Sequence, residues 1–213
     1  MVDKSNEYGY VPSSPTQARG SNTGIFEVND VTDLLIAEQW SGDFGKLELI
    51  ETQTYSSAVS SVQFTSIQES TYNVHFLTMN NIQFVSGSNM DTRLSTNGGT
   101  SYISTNYGLA TLSGNASGTF SESRSTNNNA FSVYGANSVN PQNAYAYFYN
   151  LGDSSKYSFQ TLHSTIDDDS TYLMRFGSGV LTQTNVVNAL EVRSSTGINF
   201  SSFDISLYGI AES

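Results

Sequence analysis

The sequence predicts an all-β protein: an antiparallel β-sandwich or jelly roll of about ten strands, preceded by an extended N-terminal arm and one short helix. Three observations predict this fold. From residue 46 onward, apolar residues recur with a period of two, which is typical of half-buried strands. Gly, Asn and Ser separate these stretches at short intervals. Helical patterns do not alternate with the strands, which disfavours parallel α/β architectures.

The first 45 residues differ from the rest of the chain. Residues 1–27 hold two of the three prolines together with many Ser, Asn and Gly residues, so we expect an extended segment. A single short helical pattern follows at about 29–40, beginning with residue types that cap helices. We therefore predict two parts, an arm with its helix at 1–45 and a β-sandwich domain at 46–213.

Apolar residues in the arm predict a role in attachment. A solvated tail does not need such residues, whereas a segment that orders on a partner surface uses them as anchors. The predicted partner-binding residues are Tyr8, Tyr10, Ile25, Phe26, Val31, Leu34, Leu35 and Trp40. Composition alone is equally compatible with a disordered tail, and the helix is equally compatible with packing on its own β domain.

The strand pattern covers most of the chain beyond residue 45. The predicted strands lie within 46–55, 61–67, 71–79, 90–96, 101–114, 130–135, 143–151, 156–165, 171–182, 186–195 and 199–210. Residues 111–140 are the least regular part, and we expect long loops there at one end of the sandwich. Roughly this spacing of strands and turns is typical of an antiparallel sandwich.

Composition argues against several classes of function. The chain has 19 acidic residues against 8 Lys and Arg, a net charge of −11, and no basic stripe. Neither nucleic acid nor an anionic membrane surface is therefore an expected partner. There is no cysteine, which excludes disulfides and thiolate chemistry. No apolar run approaches about 18 residues and no signal peptide is recognisable, so we expect synthesis in the cytoplasm without membrane insertion.

Sequence motifs of enzymes and zinc sites do not occur in the chain. There is no HExxH, GxSxG or Walker pattern. His75 and His163 lie in strand patterns, where a hydrogen-bonded structural histidine is the commoner case. The glutamates of the β domain are scattered, and no spacing pairs two of them for glycoside hydrolysis. We predict a protein that is not an enzyme and has no cofactor.

One acidic cluster, Asp167, Asp168 and Asp169, is a candidate calcium site. Closely spaced carboxylate oxygens are ligands that Ca²⁺ prefers. A solvated turn between two strands accounts for the same three residues, because the Gly and the final Glu of an EF-hand loop do not follow. The cluster is the only metal site that the sequence suggests.

A row of tyrosines forms a possible ligand face. In residues 143–151, Tyr145, Tyr147 and Tyr149 share one face of a predicted strand, with two alanines and a phenylalanine on the other. Tyrosine rings can stack on sugars while their hydroxyls form hydrogen bonds. The same face could form a contact between subunits, or it could lie beneath a loop of the domain.

Three segments resemble one family of proteins. The arm at 8–40, YGYVPSSPTQARGSNTGIFEVNDVTDLLIAEQW, resembles the N-terminal segment of small virion structural proteins of tailed marine phages, particularly cyanophages. The end of the chain at 199–210, NFSSFDISLYGI, is similar to the closing strand of their β-sandwich domains, and SVQFTSI at 61–67 to an early strand. The resemblance implies an oligomeric virion protein on tails, fibres or capsids. It does not extend to residues 80–140 and transfers no site residue.

These observations together predict a non-enzymatic structural component of a tailed-phage virion, of the tail fibre or adhesin type. The arm would attach it to other virion proteins, and the β-sandwich would face solvent or host. We expect a homo-oligomer, with a host surface glycan or protein as a further partner. Two alternatives stay open: a capsid decoration protein, and a carbohydrate-binding or carbohydrate-active β-sandwich.

Overall fold

The computed structural model describes residues 46–133, 140–167 and 171–211, together with Thr32. Within them, twelve antiparallel strands form two sheets, which confirms the predicted all-β fold. The predicted anchors Tyr8, Tyr10, Ile25, Phe26, Val31, Leu34, Leu35 and Trp40 lie outside the described residues, as do Asp168 and Asp169. The strands belong to one compact unit, Leu47–Ile210. No helix in the described part of the chain is long and apolar enough to cross a membrane.

The strands divide unequally between the two sheets. Their bounds are β1 Leu47–Thr54, β2 Ser61–Phe64, β3 Val74–Phe84, β4 Met90–Ser95, β5 Tyr107–Asn115, β6 Phe120–Asn128, β7 Phe131–Val133, β8 Gln142–Tyr149, β9 Ser158–Asp167, β10 Tyr172–Leu181, β11 Ala189–Ser194 and β12 Phe200–Ile210. The large sheet has the order β1-β12-β3-β8-β9-β10-β5-β6. The small sheet has the order β2-β11-β4-β7.

The core is built from the alternate positions that the period of two assigns to one face of each strand. Its largest fully buried side chains are mainly aromatic: Phe64, Phe84, Tyr107, Phe131, Phe148 and Phe200. Each such side chain contributes roughly 1.5–3 kcal/mol through burial. The Tyr107 hydroxyl would be costly to bury alone, but it accepts a hydrogen bond from the Leu94 N–H at 2.9 Å. The sandwich is therefore held together largely by rings.

Strand β6 (Phe120–Asn128) lies where the sequence predicted a long loop, so that expectation was wrong for these residues. Almost every side chain of β6 is exposed, so the strand carries no apolar alternation that a sequence pattern could detect. Backbone pairing with β5 holds it in place instead. A tight turn joins the two strands, in which Asn115 Oδ1 accepts the Thr119 N–H and Gly118 has φ of +83°.

Candidate functional site on the outer face of the large sheet

The large sheet has one face against the core and one face, the outer face, directed away from it. Alternation along four central strands places these residues on the outer face: Val74, Phe76, Thr78, Asn143, Tyr145, Tyr147, Tyr149, Phe159, Thr161, His163, Thr165, Tyr172, Met174, Phe176 and Ser178. Several of its large side chains are well exposed, from 42% for Phe159 to 70% for Tyr172. The outer face is thus an open surface rich in rings.

The middle of the outer face is an aromatic cluster of Phe76, Tyr145, Tyr147, His163 and Tyr208. Phe76 stacks on Tyr147 with ring centroids 4.6 Å apart, and it lies 6.0 Å from Tyr145 and 6.2 Å from Tyr208. Tyr145 meets His163 edge to face at 5.6 Å. These rings come together because their residues are cross-strand neighbours in register. The cluster holds the rings in fixed orientations on the surface.

The predicted alternation of Tyr145, Tyr147 and Tyr149 is confirmed. All three lie on the outer face, while the residues between them are buried in the core. Tyr145 is 43% exposed, so it is not covered by a loop of the domain. The Tyr149 hydroxyl lies 3.4 Å from Thr161 Oγ1 on β9. A role of these tyrosines in binding stays a prediction.

A groove crosses the outer face beside the aromatic cluster. Its floor follows one cross-strand row, Asn143, Thr165, Met174 and Gly114. Two adjoining recesses make up the groove, one of about 500 Å³ and one of about 200 Å³, and they share Asn143 and Thr165. Asn143 and Thr165 are shorter than the rings beside them, whereas Met174 and the ring of Phe120 lie over Gly114 at the β5 end of the row. Tyr145 lines the smaller recess and Tyr172 the larger.

The polar groups of the groove are mostly uncharged. Asn143 Oδ1 accepts the Asn81 N–H at 3.0 Å, which fixes the orientation of the Asn143 amide. Its NH₂ group has no hydrogen bond to the described residues and is available to a ligand. Asp167 is the only carboxylate, Lys or Arg among the described lining residues. The groove therefore combines rings with amides and hydroxyls and carries little charge.

The calcium hypothesis rests on residues of which only Asp167 is described. Within the described ranges, no group of three or more His, Asp or Glu side chains is close enough to hold a metal ion. Asp168 and Asp169 lie outside these ranges. The hypothesis stays a prediction, and nothing in the groove depends on it.

A second group of side chains that could take part in acid-base chemistry lies on the outer side of the small sheet and is named the charged cluster. It consists of Asp91, Arg93, Glu191 and Arg193, which the register of β4 and β11 brings together. Arg93 Nε donates to Glu191 Oε1 at 2.5 Å, and Arg193 Nη2 donates to Asp91 Oδ2 at 3.3 Å. Sequence reasoning missed this group. The signal was the charge at alternate positions in both MDTRLS and ALEVRS.

Burial sets the electrostatics of the charged cluster. Asp91 is 6% exposed and Glu191 is 3% exposed, and the ring of Tyr102 lies over Arg93 at 5.6 Å. Burial raises the pKa of Asp91 to about 6, although Arg193 and Arg93 favour its charged form. Each carboxylate is paired with an arginine and neither is open to a substrate. The cluster thus holds two strands in register rather than offering an acid and a base.

The two histidines have different environments. His75 is buried, and its Nε2 lies 2.8 Å from the Ile67 carbonyl oxygen, which confirms the expectation of a hydrogen-bonded structural histidine. Burial lowers the pKa of His75. His163 instead lies on the outer face and lines the smaller recess of the groove. Of the two, only His163 could meet a ligand there.

Comparison of the chain with protein-family models and with curated proteins finds no match. A functional assignment therefore depends on the residues themselves. The outer face of the large sheet is the region whose exposure and chemistry suit contact with another molecule.

Proposed function

We propose that this chain is a non-enzymatic structural component of a tailed-phage virion, of the tail fibre or adhesin type, that binds a partner through the outer face of its large sheet. The observation that carries the proposal is the exposure of rings on that face. The exposed parts of Tyr172, Phe120, Phe176, Tyr145 and Phe159, with about 200 Å² per side chain, amount to roughly 500 Å². Exposed rings grouped on one face of a domain often mark a contact surface.

Low charge in the groove also supports contact with a partner. The chain as a whole carries a net charge of −11, yet the groove is lined by a single carboxylate among the described residues. Another copy of this acidic chain would be repelled less at a surface where charge is sparse. The described lining of the groove is such a surface.

Absence of catalysis is part of the proposal. The carboxylates that the fold brings closest to a functional arrangement, Asp91 and Glu191, are each bound to an arginine and buried. Glycoside hydrolysis needs two carboxylates that flank a bond of the substrate. To test this, the protein is incubated with polysaccharides and new reducing ends are measured. Release of reducing ends by the protein, and not by an Asp91→Asn variant, would favour the carbohydrate-active alternative.

The virion setting is inferred from the resemblance of residues 8–40 and 199–210 to phage structural proteins. Gold labelling of intact particles with an antibody to the β domain tests it directly. We expect label on the tail or its fibres, at a small number of copies per particle. Label over the whole capsid at high copy number would identify the decoration-protein alternative. Particles without any label would overturn the virion assignment.

Attachment through the arm has its own experiment. A variant that begins at residue 46 retains the whole compact unit Leu47–Ile210 with its core, so it should fold. We expect it to lose binding to particles, whereas the full chain rebinds. The matched control is the full chain with Tyr157→Ala, which alters an exposed tyrosine of the β domain and leaves the arm intact. Equal binding by the truncated and full chains would disprove the role of the arm.

A further inference from the structure

We propose that the groove across the outer face binds a neutral oligosaccharide, with Tyr145 and Tyr172 as stacking surfaces and Asn143 as a hydrogen-bonding group on the floor. The inference deepens the proposed function by naming the class of ligand. It rests on the proposed function only in assigning the glycan to a host surface. The groove itself is a property of the purified protein and can be tested without a virion.

The dimensions of the groove suit a linear ligand. Its lining runs from Phe76 on β3, over β8, β9 and β10, to Gly114 on β5. Four inter-strand spacings of about 4.8 Å give a length of roughly 19 Å. The larger recess, about 500 Å³, is already in the range of ligand sites, roughly 300–1,000 Å³. A ligand of several linked rings would fill both recesses, which a single small molecule would not.

The floor of the groove is the cross-strand row of Asn143, Thr165, Met174 and Gly114, in which the polar Asn143 and Thr165 are shorter than the flanking rings. Gly114 has no side chain, and the ring of Phe120 and the end of Met174 lie directly over it, so a Cβ there would come within 2.9 Å of Phe120. Thr165 and Asn143 continue the row toward β8. On one side the row is flanked by Tyr145 and His163 of the aromatic cluster. Fixed rings beside a low floor form a preorganised platform.

The chemistry of the lining favours a sugar over other ligands. A sugar ring has a face of C–H groups that packs on an aromatic ring and a rim of hydroxyls that needs hydrogen-bond partners. Tyr145 and Tyr172 can supply the first contact, and Asn143, Thr165 and His163 can supply the second. A purely apolar ligand would leave these polar groups unpaired at a cost in free energy. A strongly charged ligand would find no arginine or lysine among the described lining residues.

The test measures binding of soluble probes to the full-length protein by NMR titration. The neutral probes are cellohexaose, maltohexaose, laminarihexaose and chitohexaose, and hexagalacturonic acid is the charged probe. We expect at least one neutral probe to bind, with resonances of the groove residues shifted and with hexagalacturonic acid bound more weakly. Raising the salt concentration should leave the affinity for the neutral probe unchanged, because no ion pair forms.

Variants assign the binding to the groove. Tyr145→Ala removes a stacking ring and Asn143→Ala removes the amide, and each should weaken binding by about tenfold. Thr165→Trp fills the floor of the groove and should abolish binding. The matched control is Tyr157→Ala, since Tyr157 is 44% exposed, like Tyr145 at 43%, but lines neither recess. A cooperative thermal unfolding transition in each variant shows that the fold is intact.

Three outcomes would overturn the proposal. The first is that none of the neutral probes binds. The second is that Tyr145→Ala and Tyr157→Ala lose binding equally. The third is that Tyr145→Ala dissociates an oligomer in sedimentation experiments. The last outcome would identify a second copy of the chain as the occupant. If particle labelling fails while a neutral probe binds in the groove, the virion assignment falls and the groove assignment stands.

Discussion

The outer sides of the two sheets of the sandwich differ in the charge and the exposure of their side chains. The outer face of the large sheet exposes aromatic rings around a groove whose described lining carries little charge, whereas the outer side of the small sheet holds the charged cluster and buries it. Buried charges must be paired, because desolvation would otherwise cost several kcal/mol, roughly, for each ion. Exposed rings have no such requirement. The difference teaches that the charged cluster serves stability, while the rings of the large sheet are free to contact another molecule.

The largest expected loss in the free energy of unfolding follows a substitution in the charged cluster. Arg93→Ala removes the partner of Glu191, which is 3% exposed and paired at 2.5 Å. An unpaired buried carboxylate should lower the free energy of unfolding by about 3–5 kcal/mol, measured by urea denaturation. Replacing both residues by leucine should recover most of this loss. Arg124→Ala on the exposed strand β6 is the control and should have little effect. A small loss in Arg93→Ala would contradict the comparison.

The second prediction concerns pH and Asp91. Burial raises the pKa of Asp91 from 3.8 to about 6, so between these values the native state keeps a proton that the unfolded chain has released. The contribution of Asp91 to stability is therefore greatest below the unfolded pKa and falls as pH rises through this window. At about 1.4 kcal/mol per pKa unit, the loss is roughly 3 kcal/mol.

Urea denaturation as a function of pH checks this prediction. In Asp91→Asn, the fall in the free energy of unfolding between about pH 4 and pH 6 should be smaller than in the wild type, because the titrating group is gone. The control is Asp153→Asn: Asp153 bonds to Lys156 and Ser155 on the surface, which holds its pKa below the usual range and outside this window. Identical pH profiles for Asp91→Asn and the wild type would refute the assignment.

An intermediate loss in the free energy of unfolding is expected when a ring of the aromatic cluster is removed. Tyr147→Ala removes the ring that stacks on Phe76 at 4.6 Å, and we expect a loss of about 1 kcal/mol. Tyr147→Phe keeps the ring and should retain the stability of the wild type. Thermal and urea denaturation of the pair separate the ring from its hydroxyl. An equal loss in both variants would mean that the hydroxyl, and not the stack, stabilises the cluster.

The smallest effect is expected at the rim of the groove. Tyr172 is 70% exposed, so Tyr172→Ala should change the free energy of unfolding by no more than about 0.5 kcal/mol. The same variant should weaken binding of the neutral oligosaccharide, if Tyr172 is a stacking surface. A large loss of stability would place Tyr172 in the packing of the domain and would remove the contrast between the two outer sides.

Part of the candidate site could be predicted from the sequence. The alternation in residues 143–151 placed Tyr145, Tyr147 and Tyr149 on one face, because successive side chains of any strand point to opposite sides. It did not place Phe76, His163 or Tyr172 beside them. Those neighbours depend on which strands pair and in which register, and neither is encoded in a local pattern.

The sequence by itself determined the all-β class and the shared face of the three tyrosines. Each of these follows from periodicity within one short segment. Only the tertiary structure decided that Phe120–Asn128 is an edge strand, since backbone pairing with β5 forms it without any apolar pattern. It also decided that Arg93 meets Glu191, 98 residues away along the chain, and that the groove row crosses four strands. Cross-strand register sets these contacts, and register is settled by the whole fold.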